Sequence, residues 1–228
     1  MSTPKAFPAR IHILLAQDAL CGVVIRLGPS KRVCTIGWNR TDDAFTIGQW
    51  MRGRIYGRRC DLSPDGKHLI YFAMNGQWES EVRGSWTGIS RAPYLKAVGL
   101  WPNGNCWYGG GLFIDSQKFW LNGSCGHTVL KLPQKLKAVE DFPNHQYYGG
   151  ECTGVYYLRL QRDGWELIDE IKSGKFEGVT IFEKRMNNDW TLRKFAHATS
   201  DHPQGTGCEI VELQDFNNLK FEALEASY

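Results

Sequence analysis

The chain has 228 residues, of which 13% are aromatic and 25 are glycine, and its net charge is +3. A chain of this length buries enough surface to fold without a disulfide or a metal, and its seven cysteines contain no CxxC pair. Its longest apolar runs, such as Ile11–Ala16, are far shorter than the ~20 residues of a membrane helix, and the start lacks the apolar core of a secretory signal. We therefore expect a cytoplasmic protein that does not interact with membranes.

The hydrophobic pattern of the first fifty residues is typical of a series of short strands. Arg10–Ala16 opens with an apolar run, and three runs rich in β-branched or aromatic residues follow, separated by four or five turn residues: Gly22–Leu27, Arg32–Trp38 and Ala44–Trp50. A buried helix would need longer periodic segments than these. The pattern predicts a meander of antiparallel strands.

A turn and a strand come next, in the most legible part of the chain. Pro, Asp and Gly in Asp61–Lys67 (DLSPDGK) favour a tight turn, and His68–Met74 (HLIYFAM) follows as an apolar strand. This unit resembles the repeats of TolB-like and WD40-like β-propellers. A degenerate copy at Gly111–Leu121 has Asp115-Ser116-Gln117-Lys118 in the turn. The resemblance implies a propeller of blade-like repeats.

The C-terminal half contains two similar segments that predict hairpins. Each has a strand, a turn ending in Asp or Asp-Gly, and a Trp-x-Leu motif. The first consists of Tyr156–Leu160, the turn Gln161–Gly164 and Trp165–Leu167, and the second of Phe182–Arg185, the turn Met186–Asp189 and Trp190–Leu192. Together with the preceding unit they indicate hairpin-pair repeats of ~45–50 residues, the size of a propeller blade.

The predicted fold is therefore all-β, with residues 1–228 as one domain and a small β-propeller-like arrangement of antiparallel hairpins. A β-sandwich or barrel is the alternative. Helix is scarce: Val129–Phe142 has some amphipathic spacing but contains Pro133. Asn217–Tyr228 fits a short helix or a final strand equally well.

One basic stretch is the leading candidate for a binding site. Residues 1–59 carry ten Lys/Arg and three Asp/Glu, a net charge of +7, whereas residues 60–228 carry −4. The basic stretch is Trp50–Arg59, which interleaves arginines with aromatic residues. The residues in it that are predicted to bind are Trp50, Arg52, Arg54, Tyr56, Arg58 and Arg59. In one extended strand, alternate side chains from Arg52 to Arg58 share a face, where arginines can neutralise phosphates and aromatic rings can stack on bases. The alternative is a solvated face, or arginines that pair with the acidic part of the chain.

Aromatic residues mark further candidates. Tyr147 and Tyr148 precede two glycines, as in a flexible loop that contacts a partner. The aromatic loops at 101–111 and 141–154 are predicted parts of a binding surface. Trp78, Trp86, Trp101, Trp107 and Trp120 belong either to the core or to a ligand platform.

No motif predicts catalytic residues, a metal site or a cofactor, because the six histidines lack zinc-ligand spacing and the glycine clusters lack a phosphate-binding pattern. A blade-like sheet protein without convergent catalytic residues is typical of a binding or scaffold module, which would present its loops and a basic, aromatic-bearing surface to a partner. We expect the partner to be another protein, with a nucleic acid as the other possibility. The alternative is a hydrolase with a loop-built site that uses Asp115, Asp141, His127 or His145. The sequence leaves the oligomeric state open.

Overall fold

The computed structural model describes residues 9–28, 31–123, 128–142, 153–164, 166–170, 180–186, 190–195 and 213–228. These residues form two compact units, one of residues 9–142 and 213–228 and one of residues 153–195. Strands, most of them antiparallel, make up nearly all of the regular structure, together with one α-helix. The all-β prediction is confirmed at this level, and the single domain stays a prediction.

Sheet A is the predicted meander. Its strands are β1 (Arg10–Leu15), β2 (Cys21–Leu27), β3 (Arg32–Asn39) and β4 (Ala44–Arg52), and each pairs antiparallel with the next. Side chains alternate between the faces of a strand. In β2, Val23 and Ile25 lie on one face and Val24 on the other, and all three are buried. The apolar run of β2 up to Ile25 therefore reflects burial of both faces of the sheet.

Sheet B follows directly. Its strands are β5 (Arg54–Ile55), β6 (Asp61–Leu62), β7 (His68–Met74), β8 (Ser85–Arg91) and β9 (Ala97–Pro102). The order is β5-β7-β8-β9, and β6 also pairs with β7. A short 3-10 turn, Gly57–Arg59, separates β5 from β6.

The predicted Pro-Asp-Gly turn joins β6 to β7. The Ser63 hydroxyl donates to Asp65 at 2.6 Å and accepts the backbone N–H of His68 at 2.9 Å. Gly66 has φ +73°, and a Cβ at this position would lie 2.2 Å from Cys21 Sγ. Only glycine combines this backbone angle with such a close approach, and the predicted turn is confirmed.

Sheet C contains β10 (Gly111–Phe113), β11 (Lys118–Leu121) and β12 (Lys137–Val139). β10 and β11 form the hairpin predicted from the degenerate repeat, and β12 pairs parallel with β11. Asp115 replaces the missing Pro and Gly by accepting the backbone N–H groups of Gln117 and Lys118 at 2.8 and 2.7 Å. The stretch 129–142 contains β12 and no helix.

The three sheets pack in the order A, B, C. The A–B core includes Val23, Ile25, Val33, Leu62, Leu69 and Tyr71. The B–C core includes Ile70, Ile89, Trp101, Phe113 and Phe119. Neighbouring residues of β7 thus enter different cores, and sheet B is buried on both faces.

Residues 213–228, the C-terminal strap, cover the outer face of sheet A. Phe216 and Leu219 pack against the cluster of Val24, Cys34 and Ile36. The strap contains neither the short helix nor the final strand that its sequence allowed. Side-chain contacts, not a regular hydrogen-bond ladder, hold it in place.

Arg26 is the centre of these contacts. Its side chain lies on the outer face of sheet A and is only 4% exposed. The guanidinium donates to the carbonyls of Phe216 at 2.6 Å and Asn217 at 2.9 Å, and lies 5.7 Å from the centre of the Trp50 ring. A buried cation is costly without such partners, so this arginine and the strap depend on each other.

The second unit contains α1 (Thr153–Arg162), β13 (Glu166–Glu170), β14 (Thr180–Met186) and β15 (Trp190–Phe195). The hairpin of β14 and β15 was predicted and is confirmed. The other prediction is wrong, because Tyr156–Leu160 lies in the helix. Asp163-Gly164, which the sequence predicts to end a hairpin turn, follows the helix. Gly164 has the φ of +83° that is typical of a residue ending a helix. No helix among the described residues is long and apolar enough to span a membrane.

The substitution Arg26→Met tests the attachment of the strap. We expect a loss of about 1–3 kcal/mol in unfolding free energy, because two carbonyls lose charged donors. We also expect faster trypsin cleavage after the exposed Lys220 of the strap. Arg40→Met is the matched control, since Arg40 stacks on Trp38 of the same sheet at 5.8 Å. Equal cleavage rates in the two variants would contradict the role of Arg26.

Candidate functional site

The loop 103–110, the aromatic loop, joins β9 of sheet B to β10 of sheet C. Hydrogen bonds to its backbone hold it although it has no regular structure. The Ser85 hydroxyl donates to the Asn105 carbonyl at 2.6 Å, and the Ser85 carbonyl accepts the Asn103 N–H at 2.8 Å. The Asn103 side-chain amide donates to the Tyr108 carbonyl at 3.1 Å. These bonds close the loop on itself and attach it to the start of β8.

Arg59 supports the loop from below. Its side chain is fully buried, and Nη1 donates to the carbonyls of Cys106 at 2.7 Å and Tyr108 at 3.1 Å. The guanidinium also lies 5.1 and 4.9 Å from the ring centres of Tyr56 and Phe72, within the range of cation–π attraction. Charged donors make stronger hydrogen bonds than neutral ones, so the loop has a rigid base.

Two glycines allow the loop to approach this base. A Cβ on Gly109 would lie 2.3 Å from the Phe72 ring, and one on Gly110 would lie 2.0 Å from the Arg59 carbonyl oxygen. Both glycines have positive φ. The Gly110 N–H donates to the Thr87 hydroxyl at 2.8 Å. The GGG sequence therefore serves close approach of two chain segments.

The tip of the fixed loop exposes large aromatic side chains. Trp107 is 65% and Tyr108 is 50% exposed. Trp78, 51% exposed, packs over Gly84 beside the loop. The exposed Arg83 places its guanidinium against Gly104. Trp78, Arg83, Trp107 and Tyr108 form the aromatic surface.

The prediction that Arg52–Arg58 lie in one extended strand is wrong, because these residues are divided between β4, β5 and the 3-10 turn. Gly53, with φ +138°, ends β4 after the exposed Arg52, and the exposed Arg54 begins β5 in sheet B. Arg58 is half-buried in the 3-10 turn. The prediction that Arg59 contacts an external ligand conflicts with its burial beneath the aromatic loop.

The two predicted stacking rings are engaged inside the protein. Trp50 meets the Phe221 ring edge-on at 5.9 Å, and Tyr56 packs against Phe72 at 5.3 Å. Trp50 also lines a shallow cleft of about 360 Å³ between β4 and sheet B, whose walls include Tyr71, Trp86, Leu95 and Leu100. Tyr147 and Tyr148 lie outside the described residues.

The residues considered for hydrolysis do not converge in the described part of the chain. Asp115 shapes the β10–β11 turn, and the backbone N–H of Gln117 holds its carboxyl pKa below the ordinary value. A general acid or base works best with a pKa near the operating pH, which lies well above that. Asp141 is exposed, and His127 and His145 lie outside the described residues. Among described residues, no three His, Cys, Asp or Glu side chains gather closely enough to hold a metal.

The loop at 101–111 was predictable from the sequence as a candidate, but its contact with Arg59 was not. The tryptophans were expected to belong either to the core or to a ligand platform. Trp101 and Trp120 are core residues, whereas Trp78 and Trp107 are exposed. Asn103 and Asn105 were the available local signal, since Asn side chains bond nearby backbone groups in loops. The contact from Arg59 spans 47 residues to Cys106 and has no local signal.

No family model, curated protein or solved structure gives a significant match to this chain. The geometry of the described residues is therefore the basis for assigning a function.

The substitution Arg59→Met tests the base of the loop. We expect a loss of about 3 kcal/mol in unfolding free energy, because two carbonyls lose their charged donor in a buried setting. Urea unfolding measures it. Arg54→Met, in the same stretch but exposed, should change the free energy by less than about 0.5 kcal/mol. Similar losses in both variants would disprove the distinct role of Arg59.

Proposed function

We propose that this protein is a binding module that recognises a protein partner through the aromatic surface. The observation that carries the proposal is the exposure of Trp107 and Tyr108 on a loop fixed from below by the buried Arg59. Trp, Tyr and Arg are the residue types that contribute most binding energy at protein interfaces. All four residues of the aromatic surface belong to these types.

The fixed loop supports a binding role for an energetic reason. Association loses free energy when flexible side chains and loops become ordered. Hydrogen bonds from Ser85, Asn103 and Arg59 already order this backbone before any partner arrives. Tryptophan and tyrosine have few rotatable bonds for their contact area, which lowers the remaining cost. Exposed patches of large apolar side chains often mark interaction sites on soluble proteins.

We propose a propeller-like arrangement as the scaffold. Sheet A consists of four consecutive antiparallel strands, and β6 to β9 of sheet B pair in the same consecutive manner, as the strands of propeller blades do. The Ser-Pro-Asp-Gly turn joins the first two of these strands in sheet B. In such an arrangement, connections between successive blades form a binding face, and the aromatic loop is one such connection.

We propose a reducing compartment, such as the cytoplasm. The described cysteines Cys21, Cys34, Cys60 and Cys106 are free thiols. Burial raises the pKa of the Cys34 thiol to about 12, so this group stays protonated and unreactive at neutral pH. Structural thiols of this kind fit a protein kept reduced.

Site-specific photo-crosslinking tests the binding role. A photoreactive phenylalanine analogue replaces Trp107 in one protein and Leu132, which is 69% exposed, in another. We expect a discrete, saturable crosslinked species from position 107 in lysate of the source cells, and none from position 132. Identical patterns at both positions, or none at position 107, would contradict the proposal.

Competition then measures the contribution of the ring. Unlabelled wild-type protein should displace the crosslinked species, whereas Trp107→Ala should need at least about thirtyfold more protein, since loss of a central Trp costs about 2 kcal/mol or more. Leu132→Ala should compete like the wild type. Equal competition by all three proteins would show that the ring does not contribute to binding.

A further inference from the structure

Four cations gather where the chain passes from sheet A into sheet B. Arg32 and Arg52 lie directly opposite each other in the register of β3 and β4. The Gly53 N–H donates to the Lys31 carbonyl at 2.7 Å, and Arg54 follows Gly53. Lys31, Arg32, Arg52 and Arg54 are all exposed, and we name them the basic corner.

The corner is electrostatically unfavourable as it stands. Like charges directly opposite each other on antiparallel strands repel. Among the described residues, no carboxylate forms an ion pair with any of the four cations. Within the described part of the chain, the repulsion between Arg32 and Arg52 is therefore not offset by an ion pair with a carboxylate.

The backbone fixes this arrangement. Gly53 has φ +138°, and a Cβ there would lie 2.4 Å from the Met74 carbonyl oxygen, so only glycine fits between Arg52 and Arg54. Lys31 has a φ of +55°, uncommon for a residue with a side chain. The Arg32 guanidinium lies 5.6 Å from the ring centre of Phe221 in the strap, which restricts its position.

The side chains around the basic corner indicate which class of anionic partner it can bind. A protein partner needs apolar anchors, and a single-stranded nucleic acid needs rings free to stack on bases. The nearby rings have neighbours inside the protein. Phe221, although 50% exposed, lies under the Arg32 guanidinium and edge-on to Trp50. Trp50 also lies beside Arg26, and Tyr56 lies against Phe72 and Arg59. The corner offers charge and planar guanidinium groups, which match phosphate oxygens.

We infer that the basic corner binds the phosphate backbone of double-stranded nucleic acid, without reading its sequence. Binding of a phosphate between Arg32 and Arg52 turns their repulsion into a shared attraction. The basic corner shares no residue with the aromatic surface, and the inference does not depend on the protein partner proposed above. It replaces the predicted stacking site: Arg52 and Arg54 remain, Lys31 and Arg32 are added, and Arg58 and Arg59 are not part of it.

Salt dependence makes the inference measurable. Four neutralised phosphates predict a slope of roughly −3.6 for log affinity against log salt, which is about a 150-fold loss between 50 and 200 mM. Fluorescence anisotropy of a labelled DNA duplex of about 20 base pairs, with the full chain, measures it. We expect a dissociation constant in the micromolar range and much weaker binding of a single strand of the same length.

The decisive comparison uses two triple variants with the same net charge. Arg32→Gln/Arg52→Gln/Arg54→Gln removes three charges from the corner. Lys67→Gln/Lys118→Gln/Lys131→Gln removes three exposed charges elsewhere in the same unit. Between 50 and 200 mM salt, the affinity of the corner variant for the duplex should fall by less than about fivefold, because only one cation of the corner remains. The control should keep the wild-type slope.

The inference is overturned if the wild type does not bind the duplex, or if both triple variants lose the same affinity for it. It is also overturned if the wild type binds heparin or the single strand as tightly as the duplex. Circular dichroism melting confirms that each variant is folded. If the triple variant melts early, Arg52→Gln alone repeats the comparison, with an expected decrease of about one in the slope magnitude. An unchanged slope in a folded Arg52→Gln would also overturn it.

Discussion

Two buried arginines attach two segments that have no regular structure, the strap and the aromatic loop, to the sheets. Strands satisfy their backbone carbonyls by pairing, but an irregular segment that packs on a sheet brings carbonyls that need other donors. Arg26 supplies two such donors to the strap, and Arg59 supplies two to the aromatic loop. Each guanidinium also lies beside aromatic rings, which compensate for its removal from water.

The strap matters because sheet A is apolar on both faces. One face packs on sheet B, and the other carries Val24, Cys34 and Ile36, which the strap covers with Phe216 and Leu219. The strap is connected with sheet B as well, because the Gln49 side chain donates to the Leu224 carbonyl and accepts two N–H groups from Leu95 and Lys96. A single glutamine thereby joins the edge of sheet A, the turn between β8 and β9 and the strap.

Local signals explain which parts of this fold were predictable. The meander, the turn at Gly66 and the hairpin around Asp115 follow from strand runs and turn residues a few positions apart. The same reasoning failed for Tyr156–Leu160, since Asp-Gly serves either a hairpin or the end of a helix and the neighbouring residues do not decide between them. The Pro-Asp-Gly turn was predictable because its residues are adjacent in sequence, whereas the attachment of the strap was not, because its partners are about 190 residues away.

The candidate site was predictable in composition but not in arrangement. Four arginines within eight residues indicated an exposed basic strand, yet Gly53 divides them between two sheets, and the chain then turns Arg59 inward. A close approach such as that of Gly53 to the Met74 carbonyl depends on strand pairing, which the local sequence does not encode. The same stretch consequently serves two purposes: its last arginine orders the aromatic loop, and its first two contribute to the basic corner. Because these arginines differ in burial, loss of Arg59 should act through folding and loss of Arg52 through surface charge, so their effects on stability and on anion binding separate the two roles.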